Sequence, residues 1–184
     1  VPYLRVANVQ RGHIDLAEVK FIDAPESEIE ALRLLPGDIL FNEGGDRDKL
    51  GRGWIWEGQL ADCIHQNHVF RARLYLDQLS PKLVSWWGNS FGKDYFSREG
   101  KQTTNLASIN LTKLSAFPVP LPPTAEQKEI VAEIDRRFSL ADEAEAQVNT
   151  NLQRAERLRQ SILSRAFTGG LSSHEPHSEL MDEI

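Results

Sequence analysis

The sequence predicts an α+β protein in which a compact mixed globule precedes one long C-terminal helix. Short apolar runs alternate with turn residues in the first part, a proline-rich segment follows at 117–123, and an uninterrupted helical pattern starts at Thr124. The expected boundaries are 1–122 for the globule, 123–170 for the helix and 171–184 for a flexible tail.

The first third of the globule predicts two strands, a helix and a third strand. Strands are expected around Leu4–Val9 and Val19–Ile22. Ser27 resembles a helix cap, because Ile29, Leu32 and Leu35 follow it at helical spacing. Pro36-Gly37 should end that helix, and residues 38–41 should leave the turn as a strand.

The rest of the globule predicts further strands, one helix and two polar loops. Strands are expected at 54–56 and 68–74, and a helix within 77–89 after a break at Pro81. The segment 42–53 is rich in glycine and charge, so it should be a solvated loop, and 100–105 is a second polar stretch.

The C-terminal helix is the clearest local prediction. Thr124 and Gln127 fit a capping box, Gly169-Gly170 marks the end, and neither proline nor glycine lies between. The predicted helix is about 65 Å long. Its apolar positions recur with a mean step of 3.6 residues. They are Ile130, Ile134, Phe138, Ala141, Ala144, Val148, Leu152, Ala155, Leu158, Ile162 and Ala166.

This apolar stripe needs a partner. A globule of about 120 residues has a radius of gyration of about 14 Å, too small to cover the stripe. A lone helix gains little stability without packing, so we expect a second helix against it. The alternative is that the helix folds back on its own globule.

Composition limits the class of protein. A single cysteine, Cys63, excludes an internal disulfide and suits a reducing cytoplasm, and no apolar run approaches a membrane span. The chain opens with Val1 and its single methionine is Met181, so we expect a C-terminal piece of a longer protein. The net charge is −6, yet residues 1–122 hold 14 Lys/Arg and 15 Asp/Glu, which leaves a basic face on the globule open.

Several ordered motifs resemble one family. They are Tyr3–Asp15 (YLRVANVQRGHID), Leu35–Leu40 (LPGDIL), Gln102–Leu106 (QTTNL), Phe117–Ile130 (FPVPLPPTAEQKEI) and Ile162–Leu171 (ILSRAFTGGL). In this order they resemble the specificity subunits of type I restriction–modification systems. The similarity runs from about residue 3 to residue 171, over one recognition domain and its long helix.

The resemblance implies a non-catalytic, cytoplasmic protein that recognises one half of a bipartite site in double-stranded DNA. Family members carry two such domains, whose helices pair antiparallel. Modification (methyltransferase) subunits bind along the helices and bring in the restriction subunit. This chain has one domain, so it would pair with another specificity half or with itself as a dimer. The helix length would then limit half-site separation to about 19 base pairs. The pairing positions are Ile130, Ile134, Phe138, Ala141, Val148, Leu152, Ala155, Leu158 and Ile162.

Three polar segments are candidates for DNA contact, because arginine suits guanine, asparagine suits adenine and lysine suits phosphate. The candidates are Asn42, Arg47, Lys49, Arg52, Gln66, Asn67, His68, Lys101, Gln102, Thr103, Thr104 and Asn105. The alternative for each segment is a plain solvated loop, although for 42–53 as a whole we favour a function. Glu43, Asp46 and Asp48 oppose phosphate, so ion pairs between loops are a further alternative for 42–53.

No motif predicts catalysis, a cofactor or a metal. Cys63, His65 and His68 match no structural zinc spacing and are interpreted as a core cysteine with surface histidines. Gly88–Asp94 is one residue short of a phosphate loop, and no methyltransferase or hydrolase motif occurs. Methyl transfer and cleavage would therefore belong to partner subunits. The alternative from another class is a protein-interaction adaptor whose helix oligomerises and whose globule binds protein.

Overall fold

A computed structural model describes residues 1–45, 49–102 and 107–168, with the backbone alone at Lys101 and Gln102. The fold is α+β, as predicted, and the chain divides into one compact unit at Val1–Glu133 and a second that begins at Ile134. The strands are β1 (Pro2–Leu4), β2 (Lys20–Phe21), β3 (Ile39–Asn42), β4 (Gly44–Gly45), β5 (Gly53–Ile55), β6 (Ile64–His65), β7 (Val69–Ala72), β8 (Lys101–Gln102) and β9 (Ala107–Ser108). The helices are α1 (Glu26–Leu32), α2 (Pro81–Ser90), α3 (Gly92–Glu99), α4 (Leu111–Ser115) and α5 (Thr124–Phe167).

The strands form three small sheets in the orders β2-β1-β6, β5-β3-β7 and β4-β9-β8. In the first, β1 pairs antiparallel with β2 and parallel with β6. In the second, both neighbours of β3 run antiparallel to it, with Leu40 opposite Trp54 and Arg71. The third joins segments more than sixty residues apart, because Gly44 lies opposite Ser108.

Strand β3 is the centre of the globule and is buried along its whole length. Its side chains alternate between two faces, as in any strand. Leu40 packs into a cluster with Leu4 and Trp56, whereas Ile39 and Phe41 pack against Val84 of α2. Both faces are covered, so this segment carries consecutive apolar residues rather than an alternating pattern.

Helix α2 lies on the second sheet and begins as the sequence predicts. The Ser80 side chain caps it and Pro81 occupies its first turn, where a missing N–H costs nothing. Asn89 of α2 is buried, and its amide donates to the Gly53 carbonyl at 2.7 Å and accepts from the Gly53 N–H at 3.2 Å. A side chain at Gly88 would lie 2.9 Å from the Phe41 ring. The segment that resembles a phosphate loop therefore packs the helix against the sheet.

A second apolar cluster holds the C-terminal ends of the two predicted polar loops, 42–53 and 100–105. Leu50, Phe96, Ala107 and Ile109 are buried together. Gly51 has a φ of +62°, and a Cβ there would lie 2.0 Å from the Phe96 ring, so the chain needs glycine at this close approach. Phe96 belongs to α3, a helix that the sequence did not predict.

The prediction for α1 was wrong at both ends. The helix begins at Glu26, Pro25 occupies the cap position without a side-chain cap, and Ser27 lies within the first turn. It ends at Leu32, because residues 35–38 form a turn in which the Asp38 carboxylate accepts from the Leu35 N–H at 2.7 Å. Asp38 is buried and also accepts two hydrogen bonds from Arg73, each at 2.7 Å.

Helix α5 is confirmed as one continuous helix of 44 residues. The Gln127 side chain does not bond the start of its own helix as the predicted capping box requires; it has other partners. Its side chain is 2% exposed, accepts from the Ser80 N–H at 2.8 Å and donates to the Pro122 carbonyl at 2.8 Å. The first turn of α5 is thereby bonded to the start of α2.

Beyond Ile134 the apolar positions of α5 are open to solvent. Phe138 is 49% exposed, Leu152 62% and Ile162 57%. Ile130 and Ile134 are half-buried. Along the described ranges, no helix combines the length and apolar character needed to cross a membrane.

Candidate nucleic-acid interface

The third sheet contains the beginnings of two of the three predicted polar segments, with β9 between them. Strand β4 opens the 42–53 loop and β8 opens the 101–105 loop, and both strands pair with β9. Sheet pairing fixes neighbouring strands about 4.8 Å apart. The bases of these two loops therefore lie on either side of β9, about 10 Å apart, although about sixty residues separate them in sequence.

Glu43 connects the 42–53 loop to the 66–68 segment and to Ile109, which follows β9. Its backbone N–H donates to the His68 carbonyl at 3.0 Å, and its carbonyl accepts from the Ile109 N–H at 2.8 Å. Its carboxylate accepts from His68 Nδ1 at 2.5 Å. The pair between Glu43 and His68 is a loop–loop contact of the kind considered as an alternative for the 42–53 segment.

An open cleft of about 560 Å³ lies where the 42–53 and 66–68 segments meet Val6 and β9. This volume is within the range of ligand-binding clefts. The wall residues are mostly small or polar, and Glu43 is the single carboxylate among them. They are Val6, Glu43, Gly44, Gly45, Gln66, His68, Ala107 and Ser108.

Asn42, a predicted adenine-contacting residue, is buried in the globule. Its side chain is 0% exposed and donates to the Val9 carbonyl at 2.8 Å and to the Val6 carbonyl at 3.2 Å. A side chain in this position does not reach a DNA base. Asn42 instead fastens the 6–9 segment to β3.

Arg52 and Gln66 also contact the main chain of Val6. Arg52 Nη2 donates to the Val6 carbonyl at 3.4 Å, and the Gln66 side-chain oxygen accepts from the Val6 N–H at 3.5 Å. Both side chains are half-buried, as is Lys49. Asn67 and His68 are exposed.

Part of the predicted site lies outside the described residues. This holds for Arg47 and for Thr103, Thr104 and Asn105, and for the side chains of Lys101 and Gln102. The backbones of Lys101 and Gln102 form β8.

Sequence reasoning missed the 5–9 segment as part of this region. Asn8 is 3% exposed, and its amide donates to the carbonyls of Asp15 and Glu18 at 2.9 Å each, while its oxygen accepts from the Arg5 N–H. These bonds fold residues 5–18 into a compact loop that places Val6 at the cleft. An asparagine among apolar residues was the available signal.

His65 was expected at the surface and is buried. The residue is 7% exposed, because both residues of β6 are buried in the globule. Burial lowers the pKa of His65, an effect that its contact with the Gln66 carbonyl opposes. The ring is therefore neutral at pH 7.

Cys63 lies in the core, as expected. It is 0% exposed, and burial raises the pKa of its thiol to about 12. The described part of the chain contains no cluster of three or more His, Cys, Asp or Glu side chains that is arranged to hold a metal ion.

Comparison with known proteins gives one family. The model of the type I restriction modification DNA specificity domain matches residues 89–154. The chain is 32% identical over 174 residues to the specificity subunit of type I restriction enzyme EcoKI from Escherichia coli (strain K12), which covers 94% of this chain and 38% of that protein.

Two further relatives match over similar stretches. The specificity subunit of type I restriction enzyme StySPI from Salmonella potsdam is 33% identical, with 94% of this chain and 38% of the relative covered. The putative type I restriction enzyme MjaX specificity subunit from Methanocaldococcus jannaschii is 27% identical, with 95% and 40% covered. The chain thus spans about two fifths of the length of these curated relatives.

Proposed function

The chain belongs to the family of type I restriction–modification specificity subunits, and on that premise we propose that it recognises one half of a bipartite target in double-stranded DNA. It does so without catalysis of its own. Methyl transfer and cleavage belong to the modification and restriction subunits with which it assembles. The unit of recognition is the globule at 1–122, and the helix at 123–170 is the assembly element.

The observation that carries this proposal is the meeting of two polar segments, 42–53 and 66–68, at one cleft whose opposite wall is β9, the strand paired with the base of the 101–105 loop. DNA recognition needs phosphate contacts for affinity and base contacts for specificity on one surface. Segments that are distant in sequence meet around Glu43 and Val6. The proposed contacts are Arg47, Lys49, Arg52, Gln66, Asn67, His68, Lys101, Gln102, Thr103, Thr104 and Asn105; Asn42 is left out because it is buried.

The exposed apolar stripe of α5 supports the second half of the proposal. Large apolar side chains such as Phe138, Leu152 and Ile162 are each about half exposed or more, which is costly for an unpaired helix in water. We propose that this stripe packs antiparallel against the helix of another specificity half or of a second copy. Modification subunits then bind along the pair, and the restriction subunit joins through them.

Selection from randomised DNA duplexes tests the proposal. The chain is assayed alone and together with a modification subunit, and bound duplexes are sequenced. We expect one short sequence to be enriched, and two inverted copies at fixed spacing where the chain pairs with itself. Absence of any enriched sequence under both conditions would leave the protein-adaptor alternative.

A double substitution tests the 42–53 loop. Arg47→Ala with Arg52→Ala removes two cations, so we expect at least tenfold weaker DNA binding and a salt-dependence slope that is lower by about 2. The control is Lys20→Ala with Lys128→Ala, which removes two exposed cations outside the three loops. Equal affinity of the two double variants would contradict the assignment of this loop.

A further inference from the structure

We infer that Glu43 contacts the amino group of a cytosine in the DNA major groove, and that His68 is the positioning residue that holds its carboxylate. The inference deepens the proposed function and rests on it. Glu43 was not among the residues predicted to contact DNA.

Glu43 is fixed in place from three directions. Its N–H and carbonyl are bonded to His68 and Ile109, at 3.0 and 2.8 Å, and its carboxylate is held by His68 Nδ1 at 2.5 Å. The side chain of Glu43 is 29% exposed and that of His68 is 57% exposed. A carboxylate offers about four acceptor positions, and His68 occupies one of them. The group is therefore held rigidly and still has capacity to accept from a ligand.

The charge of Glu43 determines which part of DNA can enter the cleft. A carboxylate repels phosphate oxygens, so the centre of the cleft is unsuited to the DNA backbone. A base edge that carries a hydrogen-bond donor is the group that compensates an acidic side chain in a DNA interface. The cleft centre therefore fits a base, while the cationic residues proposed around it fit phosphates.

The pattern of donors and acceptors selects cytosine. In the major groove cytosine presents its N4 amino donor, whereas adenine presents an N6 donor directly beside the N7 acceptor. The N7 lone pair of adenine would face the carboxylate and weaken the contact. Guanine and thymine present acceptors at the corresponding positions and would be repelled.

The cleft wall leaves room for a base edge to approach. Gly44 and Gly45 carry no side chain, and Ala107 and Ser108 opposite them are small. A Cβ at Gly44 would lie 3.2 Å from the Ala107 carbonyl oxygen, so a side chain there would press on the backbone of β9. The wall beside Glu43 is thus mainly backbone and small side chains.

Duplex selection with Glu43→Gln tests the inference. The wild-type protein, assembled with its modification subunit, should select a half-site that contains at least one C·G pair. Glu43→Gln should change the preference at one such pair alone, with discrimination for cytosine reduced by about 10- to 100-fold and adenine favoured instead. Glutamine pairs with adenine N6 and N7 through its amide, which is why the preference should move to adenine.

His68→Ala provides an independent variant. It leaves the backbone bonds of Glu43 in place, so the fold should persist. His68→Ala should weaken discrimination at the same base pair without a shift to adenine. A merely structural role of His68 would instead lower affinity equally at all base pairs. Glu57→Gln is the matched control, because Glu57 is an exposed carboxylate outside the cleft wall. It should leave all positions unchanged.

These experiments distinguish a failure of the role of Glu43 from a failure of the proposed DNA recognition. A wild-type half-site without a C·G pair, or Glu43→Gln with an unchanged preference at every position, would overturn the role of Glu43 while leaving DNA recognition intact. A uniform loss of affinity at all positions would also overturn it. A wild-type protein that selects no sequence would overturn the proposed function and this inference together.

Discussion

Replacement of Asn42 by alanine distinguishes a structural role from a role in recognition. The substitution removes the amide that donates to the Val9 carbonyl at 2.8 Å and to the Val6 carbonyl at 3.2 Å. The Val9 bond is fully buried, so its loss leaves an unsatisfied acceptor at a cost of about 1–3 kcal/mol. Val6 keeps the hydrogen bond from Arg52 at 3.4 Å, so less is lost there.

One contribution opposes this loss. The Asn42 side-chain oxygen is buried and has no hydrogen-bond partner among the described residues, so its removal relieves a desolvated acceptor. The backbone bonds of Asn42 to Arg52 and Gly51 do not depend on the side chain. We therefore expect Asn42→Ala to lower the free energy of unfolding by about 2 kcal/mol.

Urea denaturation measures this effect directly. Asn67→Ala serves as the control, because Asn67 is exposed in the neighbouring polar segment and should change the free energy of unfolding by less than about 0.5 kcal/mol. An Asn42→Ala protein with unchanged stability and an altered base preference would refute the structural assignment. Equal stability losses in the two variants would refute it as well.

The remaining predictions concern the long helix and a buried histidine. Leu152→Glu places a charge in the exposed stripe and should abolish self-association or partner binding, measured by sedimentation and pull-down, whereas Gln153→Glu beside it should not. Unchanged association of Leu152→Glu would reject the pairing proposal. Burial lowers the pKa of His65, so its neutral form stabilises the fold above the unfolded pKa of about 6.5 and this contribution is lost as pH falls below it. The free energy of unfolding should fall between pH 7 and pH 5, less steeply in His65→Gln; parallel slopes would contradict this.

Elements with strong local signals could be predicted from the sequence. Strand β3 follows from a compact apolar run after a turn, α2 from the helical pattern that follows the break at Pro81, and α5 from 3.6-residue periodicity without interruption. In each case the information lies within one segment. The predicted end of α1 was too late in the chain, because Leu35 continues the helical spacing of apolar residues. In the structure the buried carboxylate of Asp38 accepts from the Leu35 N–H and holds Leu35 in a turn.

Helix α3 shows where local signals fail. Its sequence, GKDYFSRE, is mostly polar, and its place in the fold depends on Phe96, which packs with Leu50, Ala107 and Ile109 from distant segments. No pattern within eight residues encodes such a contact. The pairing of β4 with β9 was not predicted for the same reason, since the two strands are distant in sequence.

The sequence was sufficient to identify the polar segments of the candidate site, but not the role of each residue within them. Polar residues in three segments were identified, yet Asn42 lies in the core and Glu43, which was regarded as opposing DNA, lies at the cleft. Asn42 is the last residue of β3 and Glu43 connects it to β4, and consecutive side chains along an extended backbone point to opposite sides. Sequence alone does not say which of the two faces inward.

The packing of the globule explains how a recognition surface can change while the fold persists. The cluster around Leu40 and the packing of Ile39 and Phe41 against Val84 hold the sheet of β3. Leu50 and Ala107, at the far ends of the two loops, are anchored by Phe96. Substitutions between these anchors add or remove polar groups without disturbing buried apolar contacts, and exposed polar changes usually shift stability by less than about 0.5 kcal/mol. If the proposed role of Glu43 holds, base preference can therefore vary through such residues at little cost to folding, provided that the anchors and the Asn42 bonds to residues 6–9 remain.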